Sequence, residues 1–445
     1  MKFLKALAIT TVISLYGVIN STYAQAMTFE ELYEIKTERL NAQSLTQGSP
    51  FALDDSDSQI NAFLNLALIN TYLSEEDHGG VFIDGDTLVV VEVVDPNNSA
   101  RTNSMQRIHD LATTETRILS NFLRIEQGRF SQAELSLVSN YIFDLMKSEV
   151  LIDKLEPIIG ERISVIPTSG SIVQENVFEV GIIPLVYNDG YLKNKVITYI
   201  AERVSNLSTK ENFSDILIFA ESAGIELLGG WEFLSEQEIW EYSEALELEE
   251  EFVLDNFNTI TIHPGRTVLR GGSGTATANN LLNGRLLTTG HAFRYRDQVF
   301  IQNLLIGTVT GHELSGSVDA SAITMPSPNI RVSNLWPDSS TISGNSGMFN
   351  VSGASITAFG SNQTGTGGRT GTIQRTDFNI SLTVNGQSHS LNNIVLTNAT
   401  GITEGDSGGP VRTAQGFNSG VIAGRMLDGT NRMVYVCIQR AMNVL

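Results

Sequence analysis

The chain has almost no cysteine: Cys437 is the only one in 445 residues. That excludes a disulfide framework and any zinc site built from several thiolates. Basic residues are also scarce, 28 Lys and Arg against 49 Asp and Glu, for a net charge of −21. Such an acidic balance argues against nucleic acid as the main partner, because phosphate binding needs a basic surface. No run beyond the N-terminus is long and apolar enough to span a bilayer. Yet 41% of the residues are hydrophobic, too many for wholesale disorder, and the length allows two or three domains.

The charge is unevenly spread. Residues 256–445 hold eight acids and twelve arginines, for +4, and none of the eight lysines, all of which lie at or before Lys210. The same 190 residues hold 26 of the 39 glycines. Such a break marks a domain boundary and predicts two parts under different constraints.

The N-terminus reads as an export signal. Lys2 and Lys5 precede a 14-residue uncharged, largely apolar run from Ala6 to Ile19, and Ala24-Gln25-Ala26 offers small residues at a cleavage site. Residues 1–26 are therefore expected to be removed, leaving an exported product with no membrane segment, secreted outside the cell or into a periplasm.

Residues 27–255 read as an acidic α+β region. Thr28–Glu31, Ser131–Glu134 and Ser235–Glu238 fit the capping-box pattern at helix starts. Leu135, Val138, Ile142 and Leu145 follow the second box at helical spacing. Val81–Asp84 and Thr87–Val94, around Asp84-Gly85-Asp86, predict a hairpin, and Glu236–Asp255 an acidic helix. Glu75, Glu76, Asp77 and His78 are read as a solvated loop; no metal site is expected.

Residues 256–445 read as all-β. Turn signals recur along this half: Gly271-Gly272, Asn283-Gly284, Gly316, Gly344-Asn345, Gly367-Gly368, Asn385-Gly386, Gly408-Gly409 and Asp428-Gly429. Short alternating runs lie between them, including Thr259–His263, Val299–Leu305, Phe378–Val384 and Met433–Ile438. Asn280–Asn283 is expected to be a loop. Within this half, Glu404-Gly405-Asp406-Ser407-Gly408-Gly409-Pro410 carries the chemistry. Its glycines permit a tight turn beside the serine, and the amides of Gly405 and Ser407 could meet the oxygen of an attacked carbonyl. A serine hydroxyl needs a base to become a nucleophile. His263, His291, His312 and His389 are available. His291 ends an apolar run among small residues, whereas the others read as strand, turn and polar-surface positions. The base needs an orienting carboxylate, and Asp297, Glu313, Asp319, Asp338, Asp377 and Asp428 are available after it. Asp319 is preferred, being set among small and apolar residues where an acid must be met by donors.

Thr-Thr-Gly-His291, Val-Asp319-Ala-Ser-Ala and Gly-Asp-Ser407-Gly-Gly-Pro, in that order, resemble the motifs of the chymotrypsin-like (trypsin-like) serine peptidases. Their separations, 28 and then 88 residues, are similar to those of the compact bacterial branch of streptogrisins and α-lytic protease. The resemblance implies an all-β catalytic domain of two six-stranded β-barrels over residues 256–445, preceded by a pro-region over 27–255. His78-Gly-Gly-Val-Phe-Ile-Asp84 is similar to a segment of pro-regions in that group.

The roles implied are His291 as base, Asp319 as its orienter, Ser407 as nucleophile, and Gly405 and Ser407 amides as the oxyanion hole. Asp406 is implied to be structural, with Arg369 a candidate partner. Gly401, Ile402, Glu404, Ala423, Gly424 and Arg425 fall where the substrate pocket and edge strand are expected, and no acid lies at the pocket floor. The sequence departs from the family pattern at Ala292, where a disulfide cysteine is usual, and at Ala423, where a serine often helps hold the catalytic aspartate. The implied function is a secreted serine endopeptidase that is a monomer when mature, acts on polypeptides and needs no cofactor. The pro-region, at −27, is expected to bind the +4 domain in cis until cut near residues 247–270. The alternatives are an esterase with the same nucleophile, or an impaired pseudo-peptidase acting as a secreted binding protein or adhesin.

Overall fold

The computed structural model of the chain describes residues 59–93, 102–113, 121–159, 164–227, 260–270, 275–282, 284–301, 304–361, 368–384 and 387–445. The expected export signal, the Thr28–Glu31 and Ser235–Glu238 capping boxes, the Glu236–Asp255 stretch and the boundary at 255/256 lie outside these residues. Among the described residues, no helix is long and apolar enough to cross a membrane.

The N-terminal half is built around two cores. In the first, α1 (Ile60–Ile69) packs on a hairpin of β1 (His78–Asp84) and β2 (Thr87–Val93). Gly85 sits at the hairpin tip with φ +63°, a backbone conformation that side chains resist. After α2 (Asn103–Thr113), β3 (Leu123–Gly128) pairs in parallel with β2. The second core begins at α3 (Gln132–Lys147), where the expected capping box forms. The Glu134 amide donates to the Ser131 hydroxyl at 3.1 Å, and the Ser131 amide donates to the Glu134 carboxylate at 2.8 Å. Its Leu135, Val138, Ile142 and Leu145 are buried, so the helical spacing marked the inward face. There follow α4 (Glu149–Ile159), β4 (Thr168–Ile172), β5 (Val177–Ile182), α5 (Pro184–Tyr187), α6 (Gly190–Ser205), β6 (Leu217–Glu221) and β7 (Ile225–Leu227).

The C-terminal half is sheet-rich. β8 (Ile260–Ile262) pairs in parallel with β16 (Ile330–Val332). Seven strands form one sheet: β9 (Thr267–Arg270), β10 (Thr275–Thr277), β11 (Leu281–Leu282), β12 (Arg285–Thr288), β13 (Gln298–Ile301), β14 (Leu304–Ser315) and β15 (Val318–Thr324). Their spatial order is β10-β9-β13-β14-β15-β12-β11. The remaining strands are β17 (Gly344–Asn345), β18 (Ser355–Ala358), β19 (Arg369–Val384), β20 (Gln387–Thr397), β21 (Pro410–Thr413), β22 (Phe417–Met426) and β23 (Met433–Cys437), before a terminal α7 (Ile438–Val444). Here β18 pairs with both β21 and β19, so β18-β21-β22-β23-β20-β19 closes into a ring of strands.

Several local expectations are corrected. Leu281–Leu282 is a strand rather than a loop, held by Leu286 and Arg285 across a tight turn. Gly344-Asn345 pairs with Phe417-Asn418 instead of turning. The turn expected at His312 is absent: Gly311 and His312 lie inside β14 at a register shift, a bulge and not a chain reversal. His263 falls just past β8 rather than within it.

The two halves are closely joined. β4 adds to β19 through Asn379–Ser169 and Ile380–Thr168, and carries β5 and β6 with it. At that seam the half-buried Asp377 carboxylate accepts from the Ser171 amide and hydroxyl, and Arg375 pairs with Glu179 at 2.8 Å. Burial pushes the Asp377 carboxyl above its usual range despite those donors. The first N-terminal core continues into the ring: Phe63 meets Phe349 edge-on, with centroids 4.9 Å apart. The Ile83 amide also donates to the Ser352 carbonyl at 2.7 Å.

Candidate active site

His291 follows β12 and Asp319 lies in β15, two strands paired so that Thr288 faces Ser321. That pairing brings the carboxylate under the turn at Thr289-Gly290-His291. Asp319 Oδ2 lies 2.7 Å from His291 Nδ1. Its other oxygen accepts from the amides of Gly290 and His291, both at 2.8 Å, and from the Thr289 hydroxyl at 3.1 Å. Both side chains are 0% exposed. Burial alone would raise the Asp319 carboxyl, but the His291 charge and these hydrogen bonds outweigh it and hold the carboxyl below its usual value. An ionised carboxylate only accepts, so Nδ1 carries the proton and Nε2 keeps a free lone pair. Among the described residues, Nε2 meets no hydrogen-bond partner.

Ser407 enters from the turn before β21. Its amide and that of Gly405 meet no acceptor among the described residues. The loop is fixed from the opposite sheet instead. The Thr277 amide donates to the Ser407 carbonyl at 2.6 Å, and its hydroxyl to the Gly405 carbonyl at 2.8 Å. The Ser361 hydroxyl reaches that same Gly405 carbonyl at 2.9 Å. Gly408, at φ +89°, is the tight point: a side chain there would strike the Thr277 carbonyl, the Thr288 hydroxyl and the Thr289 amide. That close approach seats Ser407 beside the His291 turn. The Ser407 hydroxyl itself donates to the Ala423 carbonyl at 3.1 Å. The hydrogen-bond chain therefore runs Asp319–His291 and stops at Nε2; rotation of the serine side chain would have to extend it.

The remaining expected residues are placed as follows. Asp406 is buried, and its carboxylate accepts from the Thr403 amide at 2.8 Å and hydroxyl at 3.2 Å, while Arg369 lies against Gly401. Gly401 and Glu404 are exposed. The Ile402 side chain packs into the ring's core, and its carbonyl faces Arg425 at 3.4 Å. Ala423 and Gly424 lie in β22, whose open side is taken by β7: Gly424, Arg425 and Met426 pair antiparallel with Leu227, Glu226 and Ile225. Gly424 permits this, because any side chain there would collide with the Glu226 carbonyl. Arg425 binds the Glu226 carboxylate at 2.7 and 2.8 Å. Ala292 packs in the core of the seven-stranded sheet, and Cys437 is a buried thiol. His312 touches the site only through the Gly290 carbonyl, at 3.1 Å from Nε2.

Sequence reasoning missed Thr289, Thr277 and Asn279. Thr289 was visible within Thr-Thr-Gly-His but had no assigned task; its hydroxyl also lies 2.8 Å from His291 Nδ1. It supplies a hydroxyl to Asp319 in a site where position 423 has none. Asn279 donates to the Gly408 and Gly420 carbonyls at 3.0 and 3.2 Å, tying the serine turn to β22. No charge or spacing set these residues apart.

No protein-family profile matches the chain, and no curated protein sequence matches it. Solved structures do. A chymotrypsin from Cellulomonas bogoriensis aligns at 19% identity over 41% of this chain and 95% of its own, with a TM-score of 0.33. A Nocardiopsis protease aligns at 21% identity over the same shares, TM-score 0.33, and protease A of Thermobifida fusca at 21%, TM-score 0.34. Over about two-fifths of its length, the chain is thus similar in structure to bacterial chymotrypsin-like serine proteases.

Proposed function

We propose that the chain is the precursor of an exported serine endopeptidase, with residues 256–445 as a two-barrel catalytic domain and 27–255 as an inhibitory, folding-assisting pro-region. The observation that carries this reading is the buried Asp319 carboxylate, met by four donors including His291 Nδ1 at 2.7 Å, beside a serine turn with two amides that meet no acceptor among the described residues. In the working enzyme the Ser407 hydroxyl turns from Ala423 to His291 Nε2 and attacks the substrate carbonyl. His291 takes the proton and passes it to the leaving amine, while Asp319 stabilises the imidazolium. The Gly405 and Ser407 amides receive the oxyanion; losing one such donor costs roughly 10²–10³ in rate in enzymes of this kind. Water then releases the acyl group by the reverse sequence. Latency is supported by β7, which occupies the strand edge next to Ser407.

The test is hydrolysis of an unfolded protein by the secreted wild type and by Ser407→Ala. Serine-dependent cleavage supports the reading; equal cleavage by both, or none by either after residues 27–255 are cut away, sinks it. One observation favours the second reading, a binding protein that keeps its N-terminal half: the apolar core shared by Phe63 and Phe349 across the two halves. In that case the secreted product retains residues 27–255 and does not label with a fluorophosphonate.

A further inference from the structure

The pairing of β7 with β22 carries information about what else can lie there. It is antiparallel, with Gly424–Leu227, Arg425–Glu226 and Met426–Ile225 in register, and the Leu427 amide continues it by donating to the Gly224 carbonyl at 3.0 Å. β22 therefore accepts an extended chain of one polarity by main-chain hydrogen bonds, which are blind to sequence. Side-chain selection must come from what flanks the ladder. Gly424 contributes none. Arg425 contributes a guanidinium braced on the Ile402 carbonyl at 3.4 Å, with the Glu226 carboxylate at 2.7 Å from Nη2 and 2.8 Å from Nε. This is a fork holding one carboxylate oxygen from two nitrogens, the kind of recognition for which arginine is suited.

We infer that Arg425 is a specificity-determining residue that selects substrates with an acidic side chain opposite it, the position Glu226 now fills. This deepens the peptidase reading and rests on it. Register gives the place in the substrate. Ser407 is anchored to the Ala423 carbonyl, so the residue under attack lies opposite Ala423. In an antiparallel strand the residue opposite Arg425 is two positions N-terminal to that one. An acidic residue is thus favoured third from the cut on the acyl side, with the chain's own Ile225-Glu226-Leu227 as the resident example. The preference is graded, because the two side chains are 29% and 45% exposed and such pairs are weak in water.

The experiment uses the secreted protein, folded as the full chain and then cut to free residues 256–445 from β7, with active sites counted by a fluorophosphonate. Three 12-residue peptides are compared: the sequence of residues 222–233, and the same with Gln or Lys at the position of Glu226. Wild type is expected to cleave the Glu peptide about three- to fivefold faster in kcat/KM than Gln, and roughly tenfold faster than Lys. Arg425→Gln should level the series, and Arg425→Glu should favour Lys. Equal rates on all three peptides, or no cleavage of any by a wild type that labels, overturns the inference and leaves the nucleophile intact. Absence of labelling once residues 27–255 have been cut away overturns the peptidase reading itself, and this inference with it. The peptide series on wild type decides the matter even where an Arg425 variant does not fold.

Discussion

Thr289→Val removes one hydroxyl and keeps the shape of a buried side chain. In the site that hydroxyl donates to Asp319 Oδ1 at 3.1 Å and lies 2.8 Å from His291 Nδ1. Asp319 retains three of its four donors after the change, so the loss sits at the low end for a bond to a charged group, about 1.5 kcal/mol. If that bond is felt when the imidazolium forms, kcat/KM falls roughly tenfold. The pH profile moves as well. Asp319 is held below its usual range by hydrogen bonds and the His291 charge working against burial. Removing a donor lets burial gain, the carboxyl rises, and the acid limb of activity moves to higher pH. The assay is kcat/KM against pH on active-site-counted enzyme, with Thr289→Ser expected to restore both rate and limb. A Thr289→Val enzyme with unchanged rate and unchanged acid limb would show that the hydroxyl merely fills space.

Other perturbations reach the N-terminal half and the strand edge. His78 is 8% exposed, with Nδ1 accepting from the Gly80 amide at 2.9 Å, and burial lowers its pKa from 6.5 to about 4. The folded form binds fewer protons than the unfolded chain between those values, so its contribution is present above pH 6.5 and is lost as pH falls through about 4. The full loss is about 3 kcal/mol, and His78→Gln should flatten the fall of the melting midpoint over that range; an identical slope in both proteins refutes it. Gly424→Val should expel β7, because the added carbons meet the Glu226 backbone rather than a movable side chain. Labelling of the full-length chain by a small fluorophosphonate should then rise while cleavage of extended peptides falls; unchanged values for both would mean that β7 does not govern access. Phe63→Ala, emptying a 1% exposed site against Phe349, should cost about 3–5 kcal/mol. Hydrogen exchange should rise in β1 and β2 first, and uniform exchange across the chain would argue against a separable N-terminal core.

What the sequence made legible was a set of unusual residues in unusual company. His291 among small residues, an acid at Asp319 in an uncharged strand, and glycines around Ser407 each stood out. The structure brings the first two into contact and seats the third beside them. Local signals also worked where the cause was local, as in the Ser131 capping box and the Gly85 hairpin. What could not be seen depends on distant chain meeting distant chain. Thr277 supports the Ser407 turn from 130 residues earlier, and an ordinary strand-end threonine bears no mark of that task. Ile225-Glu226-Leu227 is too short to register as a strand; it is one because β22 offers an open edge. The merging of the Phe63 core with the ring was hidden for the same reason, since hydrophobic periodicity names an inward face without naming what it meets.

The central claim, that Ser407 is a nucleophile activated by His291 and Asp319, is tested most directly by mass spectrometry of the secreted protein after reaction with a fluorophosphonate. The expected result is a single phosphonyl group on the peptide containing Ser407, formed at a rate that falls as pH drops, and absent in Ser407→Ala and in His291→Ala. A wild type that stays unlabelled once residues 27–255 have been removed, or label that persists in Ser407→Ala, would contradict it.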